Sequence, residues 1–513
     1  MEKIIATIIL VCGLAGAAGA APGELDPLFN GTGKSLFGFG TGTFVNAMAV
    51  QPDGKIIVAG YTNNFPDYDF ALMRFNFNGT LDPTFGTGGL VVTSLGTSGD
   101  HVYAVAVQPD GKIVAAGDFS NNAGIAVVRY NPNGTLDTSF DTDGKVTTVV
   151  GTGFNNAQTV AIQPDGKIVA AGVAVVGQSV FGIVRYNPDG SLDTSFDADG
   201  KVTTAVAGSS SDTAKRVRLQ PDGKIVVAGT SSRGAAREDF VVARYNANGA
   251  LDPAFGTAGV AAVDFGSSSD QASSFDFQSD GKIVVAGFSI FGSSTFNFAV
   301  ARLNANGTPD TTFDGDGRLT TANGVSINQA KDVAVQVDGK IVVAGTGFNG
   351  LDNDLTIVRY NPDGSLDNSF AAVQTSVWGA GGRSIIDAGG NEDGRALGLD
   401  AAGRALVAGT SNSGGLLVRL QSAVPTAAGL TLGGSVRTAK GAGIAGVRVR
   451  ATNAAGVTQT AVTNSFGFYR FSDIAAGETL ILSAAHRKYA FAEPTRVVTV
   501  DDALTDVDFT AFQ

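Results

Sequence analysis

The sequence has little charge, few histidines and a single cysteine. Lys, Arg, Asp and Glu make up 16% of its 513 residues, whereas hydrophobic residues make up 43% and glycine supplies 70 residues. A disordered chain shows the opposite balance, so this chain is expected to fold. Two histidines are too few for a histidine metal cluster. The abundant glycine, without a collagen period, indicates many tight turns.

The only cysteine, Cys12, lies in an apolar segment from Ile4 to Leu14 that follows Lys3. This segment and the small residues Ala18-Gly19-Ala20 have the pattern of a signal peptide, which we predict over residues 1–20. The segment is too short to span a bilayer, and no other segment reaches about 18 continuous apolar residues. We therefore expect no membrane span, no disulfide in the mature chain, and a secreted, periplasmic or cell-surface location.

The net charge of −12 excludes one class of partner. An acidic surface repels the phosphate backbone, because nucleic-acid binding depends on clustered Lys and Arg. We expect no nucleic-acid partner.

Three short strings recur along the chain, with variation, seven times each. The first is Gln-Pro-Asp-Gly-Lys-Ile, whose glycines are Gly54, Gly111, Gly166, Gly223, Gly281, Gly339 and Gly403. The second is apolar-x-apolar-x-Arg-aromatic, whose arginines are Arg74, Arg129, Arg185, Arg244, Arg302, Arg359 and Arg419. The third is Leu-Asp-x-x-Phe, whose aspartates are Asp26, Asp82, Asp137, Asp193, Asp252, Asp310 and Asp367. Three markers with one count indicate a sevenfold repeat.

Each repeat contains four short segments that are rich in Val, Ile and aromatic residues. In the stretch from Gly144 to Asn187 these are residues 145–150, 158–162, 167–171 and 181–186. Glycine, Asn, Asp or Pro bounds each segment, as expected for strands joined by turns. Four-stranded units of this length, repeated seven times, predict a seven-bladed β-propeller of four-stranded blades over residues 21–421.

The turn between the second and third segments carries its own signal. Pro52-Asp53-Gly54 suits a type I turn followed by a left-handed residue, which is a common three-residue hairpin loop. Glycine holds the left-handed position in all seven repeats, whereas the proline is replaced in some. The turn geometry requires the glycine, and the proline only assists.

The repeated Asp-Gly-Lys-Ile-Val-x-Ala-Gly string resembles the delta-60 repeat family of bacterial tandem repeats. The resemblance covers residues 25 to about 420 and implies a propeller, with no catalytic activity or ligand attached to the family. After a linker at 422–428, residues 429–513 are similar to carboxypeptidase regulatory-like (transthyretin-like) domains, which implies a small β-sandwich. Thr463-Asn464 stands where that motif usually has Thr-Asp.

The repeated arginines and aspartates predict structural ion pairs. An arginine in a strand that is covered on both faces needs a partner, because an unpaired buried charge is very costly. We predict seven pairs, bidentate where geometry allows; seven ligand sites are the alternative. Six pairs are local, and the unmatched Asp26 and Arg419 should pair and close the ring. The pairs are Arg74–Asp82, Arg129–Asp137, Arg185–Asp193, Arg244–Asp252, Arg302–Asp310, Arg359–Asp367 and Arg419–Asp26.

Two further charge patterns repeat. Asp-x-Asp-Gly begins at Asp141, Asp197 and Asp314 and resembles the start of a calcium loop, but no acidic residue follows at the bidentate position. We interpret it as a turn with optional aspartates and expect no cofactor, with calcium as the alternative. The lysines after the turn glycines predict a basic ring at one end of the propeller, as solvated turn charges.

The loops at the opposite end of the predicted blades differ between repeats. Variable loops on a rigid scaffold often carry recognition, although drift in unconstrained loops would look the same. The candidate ligand-binding residues are Phe65, Tyr68, Phe154, Phe291 and Trp378.

These observations favour an exported, monomeric, non-enzymatic scaffold that recognises a protein or glycan through the variable-loop face. The cysteine that a thiol nucleophile needs falls inside the predicted signal peptide, and the two histidines read as surface residues. Two alternatives stay open: a polysaccharide-active enzyme (glycosidase or lyase) with carboxylates in the central channel, and a purely structural envelope protein.

Overall fold

A computed structural model describes residues 22–512 with gaps at 65–66, 233–236, 293–294, 323–325, 372–380, 423–429, 454–457, 465–466, 475–477, 492, 501–503 and 505–506. Every regular element within these ranges is a strand. The described residues include no helix long and apolar enough to cross a membrane. The predicted signal peptide and nearly all of the predicted linker lie outside them.

The strands form nine four-stranded sheets, of which seven are the blades of a β-propeller. The innermost strands are Thr43–Val50, His101–Val107, Asn156–Ile162, Ser211–Leu219, Ser269–Phe277, Asn328–Val335 and Asp393–Leu399. The second strands are Ile56–Asn64, Ile113–Phe119, Ile168–Val176, Ile225–Ser232, Ile283–Phe291, Ile341–Phe348 and Ala405–Ser411. The third strands are Asp67–Phe75, Gly124–Tyr130, Gln178–Tyr186, Glu238–Tyr245, Thr295–Leu303, Asn353–Tyr360 and Gly414–Arg419. The outermost strands of blades 1 to 6 are Leu90–Thr93, Lys145–Thr148, Lys201–Thr204, Val260–Val263, Arg318–Thr321 and Arg383–Ile386, and that of blade 7 is Lys34–Phe37.

The blades close into a ring. Each innermost strand contacts the innermost strands of both neighbouring blades, including the contact between blades 7 and 1. Blade 7 takes its outermost strand from the N-terminal end of the chain, where Lys34–Phe37 pairs antiparallel with Gly414–Arg419. The fold class predicted from the three repeated strings, a seven-bladed propeller with a following sandwich, is therefore confirmed.

The division of the repeat into blades differs from the sequence interpretation. The strand Lys145–Thr148, taken above as the first of its unit, pairs with Gly124–Tyr130 of the preceding unit. Sequence periodicity fixes the length of a repeat but not where one sheet ends. Each sheet instead begins at the strand before the Asp-Gly turn and ends after the Leu-Asp-x-x-Phe string.

The second and third strands form the core of each blade. The third strand of blade 2, Gly124–Tyr130, is buried along its whole length. Apolar side chains between blades merge into shared clusters; one joins Val169 and Phe181 of blade 3 to Val217 and Ile225 of blade 4. Burying apolar area contributes about 25 cal/mol per Å², so the packing of blade on blade stabilises the ring.

The predicted Asp-Gly turn has the expected geometry. Gly54 has a φ of 82°, and the corresponding glycines of the other blades have φ between 74° and 84°. The Gly54 amide donates to the Gln51 carbonyl at 2.9 Å, and the Gln51 amide donates to the Lys55 carbonyl at 2.8 Å.

A β-bulge interrupts every innermost strand at one equivalent place. In blade 4 the pairing with the second strand passes from Ala214 to Arg216, which leaves Lys215 as the extra residue. The last glycine of the repeated string lies opposite: a Cβ on Gly229 would stand 2.0 Å from the Thr213 carbonyl oxygen. The same close approach occurs at Gly60, Gly117, Gly172, Gly287, Gly345 and Gly409. This glycine is therefore required for the bulge.

The C-terminal region is sandwich-like and consists of two four-stranded sheets. One contains Leu430–Thr438, Phe468–Ile474, Ala490–Phe491 and Phe509–Phe512, and the other contains Arg448–Asn453, Thr458–Val462, Glu478–Ala485 and Thr495–Val500. Buried residues of both sheets, including Leu432, Val449, Phe471 and Leu482, share one core cluster.

Candidate binding site in the central channel

The propeller has two ends that differ in chemistry. The turn end carries the Asp-Gly turns between first and second strands and the Leu-Asp-x-x-Phe segments between third and outermost strands. The loop end carries the loops between second and third strands and the connections from one blade to the next.

The seven predicted Arg–Asp pairs all lie at the turn end. Arg Nε stands 2.7 Å from Asp Oδ2 in six pairs and 2.8 Å in Arg244–Asp252. All fourteen residues are buried. Each arginine also stacks its guanidinium on a phenylalanine of a Leu-Asp-x-x-Phe string, 4.5–4.9 Å from the ring centre.

Each pair joins Arg Nε to one carboxylate oxygen, and the local geometry gives the other guanidinium nitrogens different partners, as in blade 2. Arg129 Nη1 donates to the Pro188 carbonyl of the next blade at 2.6 Å, and its Nη2 donates to Ser139 Oγ at 3.2 Å. The second carboxylate oxygen of Asp137 accepts from the Ser139 amide and hydroxyl. Six of the seven arginines donate from Nη1 to a backbone carbonyl of a neighbouring blade, so these pairs also tie blades together.

The pair across the chain ends has a second cation. Asp26 Oδ2 lies 2.7 Å from Arg419 Nε and 3.2 Å from Arg404 Nη1. Arg404 is buried as well and pairs with Asp400 at 2.8 Å. Asp26 and Arg419 thus meet at the ring closure, although 393 residues separate them.

The lysines after the turn glycines are not solvated turn charges. They reach the same aspartates as the arginines, from Lys340–Asp367 at 2.6 Å to Lys282–Asp310 at 3.7 Å. The predicted basic ring is therefore neutralised. Burial opposes ionisation of these aspartates, but hydrogen bonds and the nearby cations prevail: they lower the pKa of Asp367 to about 2. The pKa values of Asp82, Asp137, Asp193, Asp252 and Asp310 are also lowered.

In the Asp-x-Asp-Gly turns the second aspartate accepts a backbone hydrogen bond. Asp143 Oδ1 accepts from the Lys145 amide at 2.9 Å, and Asp199 and Asp316 accept in the same way. These bonds account for the aspartates as turn residues, and calcium binding at these turns stays the untested alternative.

The candidate residues at the loop end do not form one site. Phe65 and Trp378 lie outside the described residues. Phe154 is half-exposed, Phe291 is half-buried on blade 5, and no ring contact joins either of them to Tyr68 among the residues described.

Tyr68 instead belongs to an aromatic cluster that the sequence interpretation missed. Its ring centre lies 5.9 Å from that of Phe44 and 5.5 Å from that of Tyr61, which in turn lies 4.6 Å from His101. His101 Nδ1 is 3.1 Å from Asp118 Oδ1, and its side chain is 14% exposed. The expectation of a surface histidine is therefore wrong for His101.

The seven bulges place seven side chains around the central channel, a cavity of about 790 Å³. None of the seven was named as a site residue from the sequence, because a bulge shows only once strands are paired. Three are cationic and none is a carboxylate. They are Asn46, Tyr103, Gln158, Lys215, Ser273, Lys331 and Arg395.

The channel is basic although the whole chain is acidic. Its lining carries five cationic residues and one carboxylate, Asp332, an excess of four positive charges. The five cations are Lys215, Arg216, Arg218, Lys331 and Arg395. Both oxygens of Asp332 are occupied: Oδ1 accepts from Ser274 Oγ at 2.6 Å, and Oδ2 accepts from the Leu397 amide at 2.8 Å.

The channel cations differ in how far they are neutralised. Arg395 pairs with Asp393 at 2.6 Å, and Arg218 lies 3.5 Å from Asp276. No hydrogen bond or ion pair joins the side chain of Lys215 or Arg216 to another described residue. Burial lowers the pKa of Lys215, and Glu238 opposes this. Burial also lowers the pKa of Lys331; Asp393 opposes this, and the charges of Arg395 and Lys215 add to it.

An anion between these side chains would supply the missing counter-charge. Partly buried cations without a protein counter-charge favour anionic ligands, since a charge-assisted hydrogen bond strengthens where water is excluded. The arrangement suits anion binding better than hydrolysis by paired carboxylates, which needs two acids.

Comparison with known proteins extends the fold assignment. A family model described as a domain of unknown function (DUF5122) β-propeller matches residues 51–85, 108–140, 163–196, 220–255, 278–313 and 336–370. A carboxypeptidase regulatory-like domain model matches residues 431–511. No curated protein matches the sequence.

Solved structures resemble the chain at low identity. PorZ, a surface component of the type-IX secretion system of Porphyromonas gingivalis, is 11% identical with a TM-score of 0.40; the match covers 87% of this chain and 58% of PorZ. The polysaccharide lyase Uly1 is 12% identical with a TM-score of 0.45, over 74% of this chain and 90% of the lyase. The periplasmic gluconolactonase PpgL of Pseudomonas aeruginosa is 14% identical with a TM-score of 0.38, over 72% of this chain and 95% of PpgL.

Likeness at these identities concerns the fold and does not transfer an activity. The ranges that the propeller family model matches contain the Asp-Gly turns and the local Arg–Asp pairs of blades 1 to 6. The chain belongs to the DUF5122 β-propeller repeat family and carries a C-terminal carboxypeptidase regulatory-like domain.

Proposed function

We propose that this protein is an exported, non-enzymatic binding protein that holds an acidic glycan in the basic channel of its propeller. The observation that carries the proposal is the excess of four positive charges in the channel lining of a chain whose net charge is −12. A cleft of one sign of charge raises the local concentration of oppositely charged ligands.

The distribution of the bulge residues favours a sugar over a simple anion. Blades 1 to 3 contribute Asn46, Tyr103 and Gln158, which form hydrogen bonds without charge. Blades 4, 6 and 7 contribute Lys215, Lys331 and Arg395. A ligand that carries hydroxyls along one side and carboxylates or sulfates along the other matches both arcs.

A protein or nucleic-acid ligand fits less well. An ordinary protein interface buries about 800 Å² of surface on each partner. A channel cavity of about 790 Å³ is too small to bury that area against a folded protein. A nucleic acid would have to approach an acidic exterior before it reached the channel.

The non-enzymatic assignment rests on the channel carboxylates. Among the described residues that line the channel only Asp332 is acidic, and both its oxygens already accept hydrogen bonds. A pair of free carboxylates for acid–base work on a glycosidic bond is missing from this lining. The C-terminal sandwich then serves as a spacer or attachment module.

Calorimetric titration of the full chain with a uronate polymer and with a neutral glucan tests the proposal. We expect binding to the uronate only, weakening as salt is raised. The double variant Lys215→Gln, Lys331→Gln should bind at least about tenfold more weakly, a loss of about 1.4 kcal/mol. The matched control is Lys224→Gln, which removes a lysine of blade 4 that pairs with Asp252 at the turn end and should leave the affinity unchanged.

Three results would contradict the proposal. They are equal binding of both polymers, an unchanged affinity in the double variant, or shortening of the polymer by the unmodified protein. The last would identify an enzyme.

A further inference from the structure

Three carboxylates meet at the loop end between blades 6 and 7, away from the channel. Asp354 is the second residue of the third strand of blade 6, Asp387 follows the outermost strand of that blade, and Glu392 precedes the innermost strand of blade 7. Oxygen atoms of all three side chains lie within 4.8 Å of one another. Clusters of acidic residues are common in proteins that bind no metal. Whether each carboxylate oxygen has a hydrogen-bond partner therefore decides whether this cluster could bind a cation.

In blades 1 to 5 the residue equivalent to Glu392 has one structural role. It lies three residues before the bulge, and in five other blades the side chain accepts a hydrogen bond from a backbone amide of the preceding loop. In blade 4 the Val206 amide donates to Asp212 Oδ2 at 2.8 Å, and in blade 5 the Phe265 amide donates to Asp270 Oδ2 at 2.9 Å. Asp100, Asn155 and Thr43 accept in the same way. The position therefore normally holds a short side chain that fixes the loop.

Glu392 departs from this role. The residue is fully buried, and neither carboxylate oxygen has a hydrogen-bond partner among the described residues. Asp354 is 3% exposed, and its Oδ1 is also without a partner. A buried carboxylate without a partner is strongly unfavourable, so such a group needs an explanation.

Among the described residues no Lys or Arg forms an ion pair with these three side chains, although Lys34 Nζ donates to the Asp387 backbone carbonyl at 2.8 Å. Burial raises the pKa of Glu392 to about 7, and the charges of Asp387, Asp354 and Asp352 raise it further. The Ala388 backbone amide lies near the carboxylate and opposes this rise, but it does not meet hydrogen-bond geometry with either oxygen. Burial likewise raises the pKa of Asp354, and Asn349 Nδ2, which donates to Asp354 Oδ2 at 2.8 Å, opposes this. Four negative groups thus act on one another.

We propose that Asp354, Asp387 and Glu392 bind a calcium ion at the junction of blades 6 and 7. All three ligands are oxygen donors, which suits a hard cation and not zinc or copper. Calcium accepts six to eight oxygens in flexible geometry, so water and nearby amide groups can complete its shell.

The junction of blades 4 and 5 provides an internal comparison. Asp239, Asp264 and Asp270 occupy the equivalent positions and also lie within 4.8 Å of one another. Both oxygens of Asp270 are bonded, however, to the Phe265 amide and to Ser267 Oγ. The buried carboxylate at this junction therefore has protein partners where Glu392 has none.

The experiment titrates calcium into the full chain after treatment with a chelator, with calorimetry and thermal melting as readouts. We expect one calcium ion to bind and to raise the melting temperature by about 2–4 °C at millimolar calcium. Asp387→Asn, at an exposed position, should keep the fold and weaken calcium binding at least tenfold, and Glu392→Gln should abolish the rise. The matched control, Asp264→Asn, should leave the calcium response unchanged.

A neutral, protonated Glu392 is the competing explanation and gives different results. It predicts no heat of calcium binding and no shift in melting temperature for the unmodified protein, and this result would overturn the proposal. So would calcium binding that Asp387→Asn and Glu392→Gln leave intact, or that Asp264→Asn removes. None of these measurements involves the channel lysines, so failure here is separate from failure of the glycan proposal.

Discussion

The turn end and the loop end of the propeller use charge in opposite ways. At the turn end each aspartate of the Leu-Asp-x-x-Phe string lies between an arginine and a second cation, and the pattern repeats in all seven blades. In the channel and at the loop end, charged groups differ between blades, and some, such as Lys215 and Glu392, lack a partner among the described residues. Charges that repeat maintain the ring, and charges that break the repeat are the ones available to a ligand.

Acid should remove the stabilisation of the turn end in blades 1 to 6 together, and this is the largest effect we expect. The folded-state pKa values of the six aspartates paired within these blades lie below the ordinary value, about 2 for Asp367. Their contribution is therefore complete above about pH 4, the pKa in an unfolded chain, and is lost as the pH falls through about 2. Urea unfolding at pH 7, 4, 3 and 2 measures the loss. A midpoint that does not change down to pH 2 would show that the pairs contribute little.

Asp26→Asn should be the most damaging single substitution at the turn end. It leaves Arg419 and Arg404, both buried, without their shared carboxylate, and breaking a buried pair costs about 3–5 kcal/mol. Asp82→Asn is the matched control, because Asp82 serves one buried arginine and the partly exposed Lys55. Denaturant unfolding should give the larger loss for Asp26; equal losses would mean that the ring closure is no different from any other blade.

Gly229→Ala tests the bulge that links the scaffold to the channel. The added Cβ would stand 2.0 Å from the Thr213 carbonyl oxygen, and overpacking of this kind costs about 1–3 kcal/mol. Because the bulge positions Lys215, we also expect weaker binding of the channel ligand. Ala228→Gly, the neighbouring change in the same strand, is the control for strand propensity. Unaltered stability and affinity in Gly229→Ala would show that the bulge does not require a glycine at this position.

Phe154→Ser should have the smallest effect on stability. The side chain is 50% exposed in a loop-end connection, where substitutions change the free energy of unfolding by about 0.5 kcal/mol or less. Phe181→Ala, at a fully buried position in the third strand of blade 3, should cost about 3–5 kcal/mol. Thermal melting of both variants checks the contrast. A large loss for Phe154 would show that the loop end also has a structural role.

The sequence predicts most of the turn end, because its features repeat and involve residues close in the chain. Counting three strings was enough to predict the blades, the local Arg–Asp pairs and the partnership of Asp26 with Arg419. The second cation at each aspartate was missed, since Lys55 and Asp82 are 27 residues apart and belong to different turns. The division into sheets was also misplaced, because a repeat has the same period wherever it is cut.

The channel and the carboxylate cluster were not predictable in this way. Which side chain enters the channel depends on a one-residue bulge, and a shift of one residue reverses the facing of a strand. The bulge position holds a different residue in different blades, such as Asn46, Lys215 and Arg395, so no repeated string in the sequence identifies it. Glu392 looks like an ordinary loop acid until its burial and its missing partners are seen.

Strand pairing between Lys34–Phe37 and Gly414–Arg419 has a consequence for how the chain reaches its native state. Among the strands of the propeller, Lys34–Phe37 is synthesised first but can pair only after its partner strand has been made, almost 400 residues later. Pairing of such distant segments is slow, because the entropy of closing a very large loop is lost before the contact stabilises the fold. Blades 1 to 6 can assemble before this strand is paired. Removing residues from either end of the propeller leaves blade 7 incomplete, because strands from both ends form it.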